Sequence, residues 1–300
     1  MIVECHNLTK CFRGRPALTG LDLEVPQGAA LALVGSNGAG KSTTLRLLVN
    51  ILTPDSGSAQ VLGVESTRLG HMELQNIGYV CDNPKLPERL SVSQYFDYVR
   101  ALYPNWDAAF EQTLRRRFDL PPKHRVGSLS HGMRMKLVLV GALAFHPKLL
   151  LLDEPLSGLD PLMRDEVLEG VLGEAGETTV VISSHELTEL EGFATQIAFM
   201  SQGRLVFHED VERTTTRFRE VSVTLPREIR SPASFPAACL AGESEGAVLR
   251  FVETQFISEP ETARKVSAHF GVVRHMETHP MSLRQISKAL MRAHRVGHAS

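Results

Sequence analysis

Residues 35–42 read Gly-Ser-Asn-Gly-Ala-Gly-Lys-Ser, and this octapeptide restricts the fold more than any other part of the 300-residue chain. It fits the phosphate-loop (Walker A) pattern G-x-x-x-x-G-K-[ST] at every position. Gly35, Gly38 and Gly40 let the backbone curl so that successive N–H groups converge on anionic oxygens, with Ser36, Asn37 and Ala39 between them. Such a loop needs a buried strand before it and a helix after it, because the positive end of the helix adds to the attraction. The flanks meet that need. Ala29–Val34 is an unbroken apolar run, as in a strand covered on both faces. Lys41–Leu52 carries Leu45, Leu47, Leu48 and Ile51 in an apolar-periodic pattern and runs into the stop signal Thr53-Pro54. Lys41 is then placed for the β- and γ-phosphates, the Ser42 hydroxyl for Mg²⁺, and Thr43 for the α-phosphate.

A second apolar run, Leu149–Leu152, ends in Asp153-Glu154-Pro155. Two carboxylates at the end of a buried strand are costly without a nearby cation. A nucleotide with Mg²⁺ supplies one, so Asp153 is a candidate metal holder and Glu154 a candidate base for attacking water. Thr179–Ser183 is a further buried-strand candidate.

Other chemistry finds little support. There are 32 basic and 34 acidic residues, a net charge of −2, which does not suit a general nucleic-acid binder. The run Arg115-Arg116-Arg117 reads as a solvated helix face. The four cysteines have no C-x-x-C spacing, which argues against a zinc site or redox couple and fits reduced thiols in a cytosolic setting. The N-terminus has no signal pattern. The longest strongly apolar stretch, 137–145, falls far short of the ~20 residues a membrane-spanning helix needs. His269, His275 and His279 are too loosely spaced to name a metal site.

The fold class expected is α/β for residues 1–213, with a helical insert over about 84–130, and a small α+β appendage over 214–300. Ile2–Leu8 and Leu21–Val25 alternate as half-buried strands do. Tyr95, Tyr98, Leu102, Phe110, Leu114 and Phe118 give the insert its helical spacing. Ile197–Met200 and Arg204–His208 flank a Ser-Gln-Gly turn as in a hairpin. In the appendage, Phe218–Leu225, Val248–Val252 and Val272–Met276 read as strands. Pro260–Phe270 and the segment from Leu283 read as helices.

Further motifs take the chain beyond a generic phosphate loop. Leu129-Ser130-His131-Gly132-Met133 resembles the LSGGQ signature of ATP-binding-cassette (ABC) ATPases. Ser157-Gly158-Leu159-Asp160 resembles their D-loop, and His185 matches their switch histidine. Phe12 lies where the family stacks an aromatic on adenine. The resemblance covers the whole of the first domain and implies a phosphate-loop core of ABC type with an antiparallel β subdomain. It implies an ATPase that uses ATP and Mg²⁺ and dimerises head to tail. Ser130 and the Gly132 N–H would then reach the γ-phosphate held by the partner's loop, His185 would bond the γ-phosphate, and Asp160 would link the two sites. It further implies a second ATP-binding subunit, for which a homodimer suffices, and a polytopic membrane permease, with the chain peripheral at the cytoplasmic face of the membrane.

Two departures matter. Asp82 stands where the family usually has a glutamine; it is shorter and charged, and can still hold Mg²⁺ directly or through water, with Asn83 as a second candidate at this loop. The signature reads Ser-His-Gly-Met, a form similar to that of some ABC exporters, and Pro87–Val92, Tyr103–Asp107 and Met281-Ser282-Leu283 point the same way. Two other readings stay open: a soluble ABC-type ATPase not coupled to transport, and a module that senses ATP without hydrolysing it.

Overall fold

The computed structural model describes residues 1–175, 178–228, 235 and 239–296. The chain divides into one unit of Met1–His185 with Glu189–His208, and a second of Glu186–Thr188 with Glu209 onward.

Two sheets build the first unit. Strands β1 (Val3–Phe12) and β2 (Arg15–Val25) form a hairpin across Arg13-Gly14. Both turn residues have positive φ, 49° and 79°, as a type I′ turn needs to match strand twist. β1 therefore runs four residues beyond the expected Leu8. Its alternation is hidden in the sequence by register shifts between Cys5 and Leu8 and between Leu8 and Lys10, with Asn7 at φ 47°.

The second sheet carries β3 (Ala30–Val34) at its centre. β4 (Ser56–Val61) and β5 (Val64–Glu65) return to the first sheet, giving it the antiparallel order β2-β1-β4-β5. β6 (Ile77–Val80), β7 (Leu149–Asp153), β8 (Thr179–Ser184), β9 (Gln196–Ser201) and β10 (Arg204–Asp210) complete the order β10-β9-β3-β8-β7-β6. Pairings from β9 through β6 are parallel, and β3, β7 and β8 are almost entirely buried. The hairpin at the β9–β10 junction turns on Gln202-Gly203, again at positive φ.

Between the sheets lies a core in which Leu18 and Leu21 of β2, Leu31 and Leu33 of β3, and Leu45 and Leu48 of α1 (Lys41–Leu48) are fully buried. α1 stops short of the expected Leu52. Asn50 enters the left-handed region at φ 59°, and the N–H groups of Ile51 and Leu52 both turn back to the Arg46 carbonyl.

After the short α2 (His71–Leu74), the insert holds α3 (Val92–Arg100) and α4 (Ala108–Arg117). Ser91 and Gln94 form a reciprocal capping box on α3, and Asp107 caps α4. Arg115 is not the solvated residue its run suggests. It donates to Glu111, a carboxylate 2% exposed that also accepts from Arg100 and Trp106. α5 (His131–Leu143) follows, then α6 (Pro161–Ala175), whose apolar residues show no sided pattern and whose position the sequence does not announce.

The second unit holds α7 (Val211–Arg217), β11 (Arg219–Thr224), β12 (Cys239–Glu245), β13 (Val248–Glu253), α8 (Glu259–Phe270), β14 (His275–Pro280) and α9 (Leu283–Val296). Its sheet is antiparallel in the order β12-β13-β11-β14, with Val221, Val223, Leu249, Phe251 and Val266 in its core. The last strand begins at His275 rather than Val272. Gly271 ends α8 at φ 84°, and Val272 is left 76% exposed. β14 pairs through a mostly polar sequence that gives no strand signal.

Among the described residues, no helix is long and apolar enough to cross a membrane, and no group of three His, Cys, Asp or Glu side chains could hold a metal ion.

Candidate active site

The loop of residues 35–40 leaves β3 and feeds α1. Its shape requires glycine at three points. Gly38 has φ 81° and Gly40 φ 105°, and a Cβ on Gly40 would lie 2.8 Å from the Ala17 carbonyl. Gly35 is pressed as closely, its Cβ position lying 2.4 Å from the Met200 carbonyl. No side chain caps α1 and its first turn has no acidic residue, so the positive end of the helix faces the cleft without competition.

Lys41 is 5% exposed, and its ammonium donates to the carbonyls of Gly35 at 2.7 Å and Ser36 at 3.3 Å. It also lies 3.0 Å from Glu154 Oε1, without the angles of a hydrogen bond, so that this buried oxygen has no hydrogen-bond donor among the described residues.

β7 delivers the two carboxylates. Ser42 Oγ and Ser183 Oγ both donate to Asp153 Oδ1, at 2.8 and 2.9 Å. The Glu154 N–H in turn donates to Ser183 Oγ at 2.9 Å. Glu154 sits in the left-handed region at φ 50°, a conformation that costs about 1–3 kcal/mol and turns its side chain back over the loop. Its Oε2 is 2.9 Å from His185 Nδ1. Burial pushes the Glu154 carboxyl up, but the His185 hydrogen bond and the Lys41 charge outweigh it and hold the group below the ordinary carboxylate range.

Lys41, Ser42, Asp153, Glu154 and His185 share one cleft of about 450 Å³ with Asn37, Gly38, Ala39, Gly40 and Thr43, whereas Gly35, Ser36 and Ser183 do not line it. Phe12, 44% exposed at the tip of the β1–β2 hairpin, lines it too, with the Lys10 ammonium 5.8 Å from its ring centroid. Asp82 is exposed and also lines the cleft, with no partner among the described residues. Ser157, the first residue of the D-loop-like segment, lines the cleft as well; sequence reasoning missed Arg46 and Ala17, which also line it, and Ser183, whose only signal was its place beside Ser184 and His185.

Ser42 and Asp153 offer hard oxygen donors 2.8 Å apart, a set that suits Mg²⁺, which takes one or two protein oxygens and fills its other positions with phosphate oxygens and water.

Ser130, Gly132 and Asp160 do not line this cleft. Ser130 caps α5, accepting from the Met133 N–H at 3.3 Å. Gly132 is buried, and any Cβ there would collide with Met163 Sδ. Asp160 caps α6 through the Met163 N–H at 3.0 Å.

The fold and site define a phosphate-loop nucleotide-binding protein. The ABC transporter family profile matches residues 18–157. The ABC transporter ATP-binding protein YtrB of Bacillus subtilis is 30% identical over 230 residues, covering 76% of this chain and 78% of that protein. The daunorubicin/doxorubicin resistance ATP-binding protein DrrA of Streptomyces peucetius is 32% identical over 288 residues, covering 94% of this chain and 79% of its own length. A solved ATP-binding subunit of an ABC transporter superposes with a TM-score of 0.66 at 25% identity, covering 72% of this chain and 92% of that one. The chain belongs to the ATP-binding proteins of the ABC transporter family, and it is an ATPase.

Proposed function

We propose that the chain energises an exporter by closing as a head-to-tail homodimer against a polytopic membrane permease, lying at the cytoplasmic face of the membrane. One observation carries the dimer. The cleft gathers Lys41, Ser42, Asp153, Glu154 and His185, while Ser130, Gly132 and Asp160 lie outside it on the same chain. A second copy would bring its α5 N-terminus to the open side of the cleft, where the Ser130 hydroxyl, the Gly132 N–H and the helix dipole favour an anion. Export is supported by the likeness to DrrA, a protein named for drug resistance, along 94% of this chain. On this reading residues 1–213 are the ATP-binding domain, 84–130 its helical insert and 214–300 an accessory region.

The reaction follows from the residues. The loop N–H groups and α1 hold the phosphates, with Thr43 beside the α-phosphate and Phe12 against the adenine. The incoming γ-phosphate competes with Glu154 for Lys41. Once Lys41 turns to phosphate, Glu154 Oε1 is a buried acceptor without a donor, suited to take a proton from water. His185 steadies Glu154 through Oε2 and reaches the γ-phosphate. Ser42 and Asp153, with Asp82 at the edge, would hold Mg²⁺, which when bound neutralises charge on the β- and γ-oxygens.

The test is the Glu154→Gln chain in ATP and Mg²⁺, followed by light scattering. We expect a dimer that the wild-type chain does not accumulate. A chain that stays monomeric at saturating ATP rejects the sandwich. Affinity capture from detergent-solubilised membranes should recover a polytopic chain; recovery of soluble partners alone rejects the transporter role.

A further inference from the structure

Arg164 has no role in the reaction described above, yet its guanidinium joins two segments that do. Its Nε donates to the carbonyl of Leu159, in the Ser157–Asp160 turn, at 2.9 Å. Its Nη1 lies 2.7 Å from Glu189 Oε1, and Glu189 is 3% exposed. The other oxygen of that carboxylate accepts from Ser184 Oγ at 2.6 Å. Ser184 is buried, ends β8 immediately before His185, and accepts through its carbonyl from the Gly35 N–H at 3.3 Å.

The turn itself is tied at both ends. The Ser157 N–H donates to the Glu154 carbonyl at 3.1 Å, and the Ser157 carbonyl lies 3.1 Å from His131 Nε2 in the signature segment. A continuous path of hydrogen bonds, closed by the Arg164–Glu189 ion pair, therefore runs from His131 through the Ser157–Asp160 turn, Arg164, Glu189 and Ser184 to the strand end that carries His185.

The geometry points to Arg164 as a positioning residue, which fixes His185 relative to the Ser157–Asp160 turn so that movement at one is felt at the other. Glu189 has one oxygen for each partner, so the two segments cannot shift independently without breaking either the Arg164–Leu159 hydrogen bond or a contact to the buried Glu189 carboxylate. Lysine at 164 keeps the charge but offers one point of attachment where arginine offers a planar fork. Communication between the two nucleotides rests on the dimer proposed above. The clamp on His185 within one chain does not.

The experiment measures steady-state ATPase for Arg164→Ala, Arg164→Lys, Glu189→Ala and the Arg164→Ala/Glu189→Ala pair, with circular dichroism on each. We expect kcat to fall by about 10- to 100-fold, as for a catalytic group displaced by about an ångström. KM for ATP should hold within about twofold, because the loop contacts are untouched. Arg164→Lys should recover only part of the loss, and the double variant should be no slower than the worse single one. A rise in KM with kcat unchanged, or losses that multiply in the double variant, overturns the assignment. If Arg164→Ala does not fold, the Lys variant decides: full wild-type kcat rejects the fork. Failure of the dimer reading shows separately, as absence of the ATP-induced dimer in Glu154→Gln with arginine still at position 164.

Discussion

The Lys41 ammonium stands 3.0 Å from Glu154 Oε1, so the residue proposed to hold phosphate and the residue proposed to take a proton from water are paired with each other. Both are largely buried, which makes the pair stronger than a surface ion pair. ATP must displace this contact. Replacing Glu154 with glutamine removes the competing charge. We expect Glu154→Gln to bind ATP about 3- to 10-fold more tightly, for about 1 kcal/mol of lost competition, while kcat falls by about 10²- to 10⁴-fold through loss of the base. Equilibrium titration with a fluorescent ATP analogue, beside a phosphate-release assay, checks both. Weaker binding by the variant would mean that Lys41 is not held back by Glu154.

Ser183 is the hinge of the carboxylate pair, donating to Asp153 and accepting from the Glu154 backbone at 2.9 Å in each case. Alanine there leaves the Glu154 N–H without its acceptor and leaves Asp153 Oδ1 with Ser42 as its one remaining donor among the described residues. We expect Ser183→Ala to lower stability by about 1–2 kcal/mol and kcat by about tenfold, since both acids lose part of their placement. Thermal unfolding and ATPase rates on the same preparation test it. A destabilised chain with wild-type kcat would make Ser183 purely structural.

What the sequence revealed depended on how local the cause was. The loop at 35–42 and its flanking strand and helix were legible because glycine placement and apolar runs act over a few residues. The acids at 153–154 were legible because two charges on a buried strand need an explanation. Ser183 was not, since its importance comes from parallel pairing of β7 with β8, thirty residues away. His131 likewise looked idle in the signature, and only the fold brings it to the Ser157 carbonyl. β1 ran past its expected end because Asn7 breaks the alternation where the register shifts. β14 was misplaced because two valines after Gly271 look more strand-like than the polar residues that pair with β11.

Gly40 and Gly28 separate two costs of a left-handed glycine. Gly28 has φ 77° with nothing near its missing Cβ. Gly40 has φ 105°, and a Cβ would lie 2.8 Å from the Ala17 carbonyl and 2.7 Å from Leu18 Cδ2. Alanine at 28 should cost about 1 kcal/mol of stability through backbone strain alone, with ATP affinity unchanged. Alanine at 40 must push the loop away from the β1–β2 hairpin, and we expect ATP affinity to fall at least tenfold, or about 1.4 kcal/mol. Calorimetric titration of both variants decides. Equal affinities would show that the loop tolerates displacement.

Glu111 offers a test by pH in the helical insert, away from the nucleotide. Burial pushes its carboxyl up, but hydrogen bonds from Arg100, Arg115 and Trp106 prevail and hold it below the ordinary value of 4.5. A carboxylate whose folded pKa is depressed contributes stability that is complete above its unfolded pKa and is lost as pH falls through the folded value. Glu111→Gln should therefore destabilise the chain by about 2 kcal/mol at neutral pH, because Arg100 and Arg115 lose a shared, buried partner. The gap in melting temperature between wild type and variant should stay constant down to about pH 5 and close progressively below about pH 4. The glutamine keeps the shape and one acceptor, so the closing gap isolates the charge. A gap that persists unchanged into acid would mean that packing around Glu111, not its ionisation, holds α3 and α4 together.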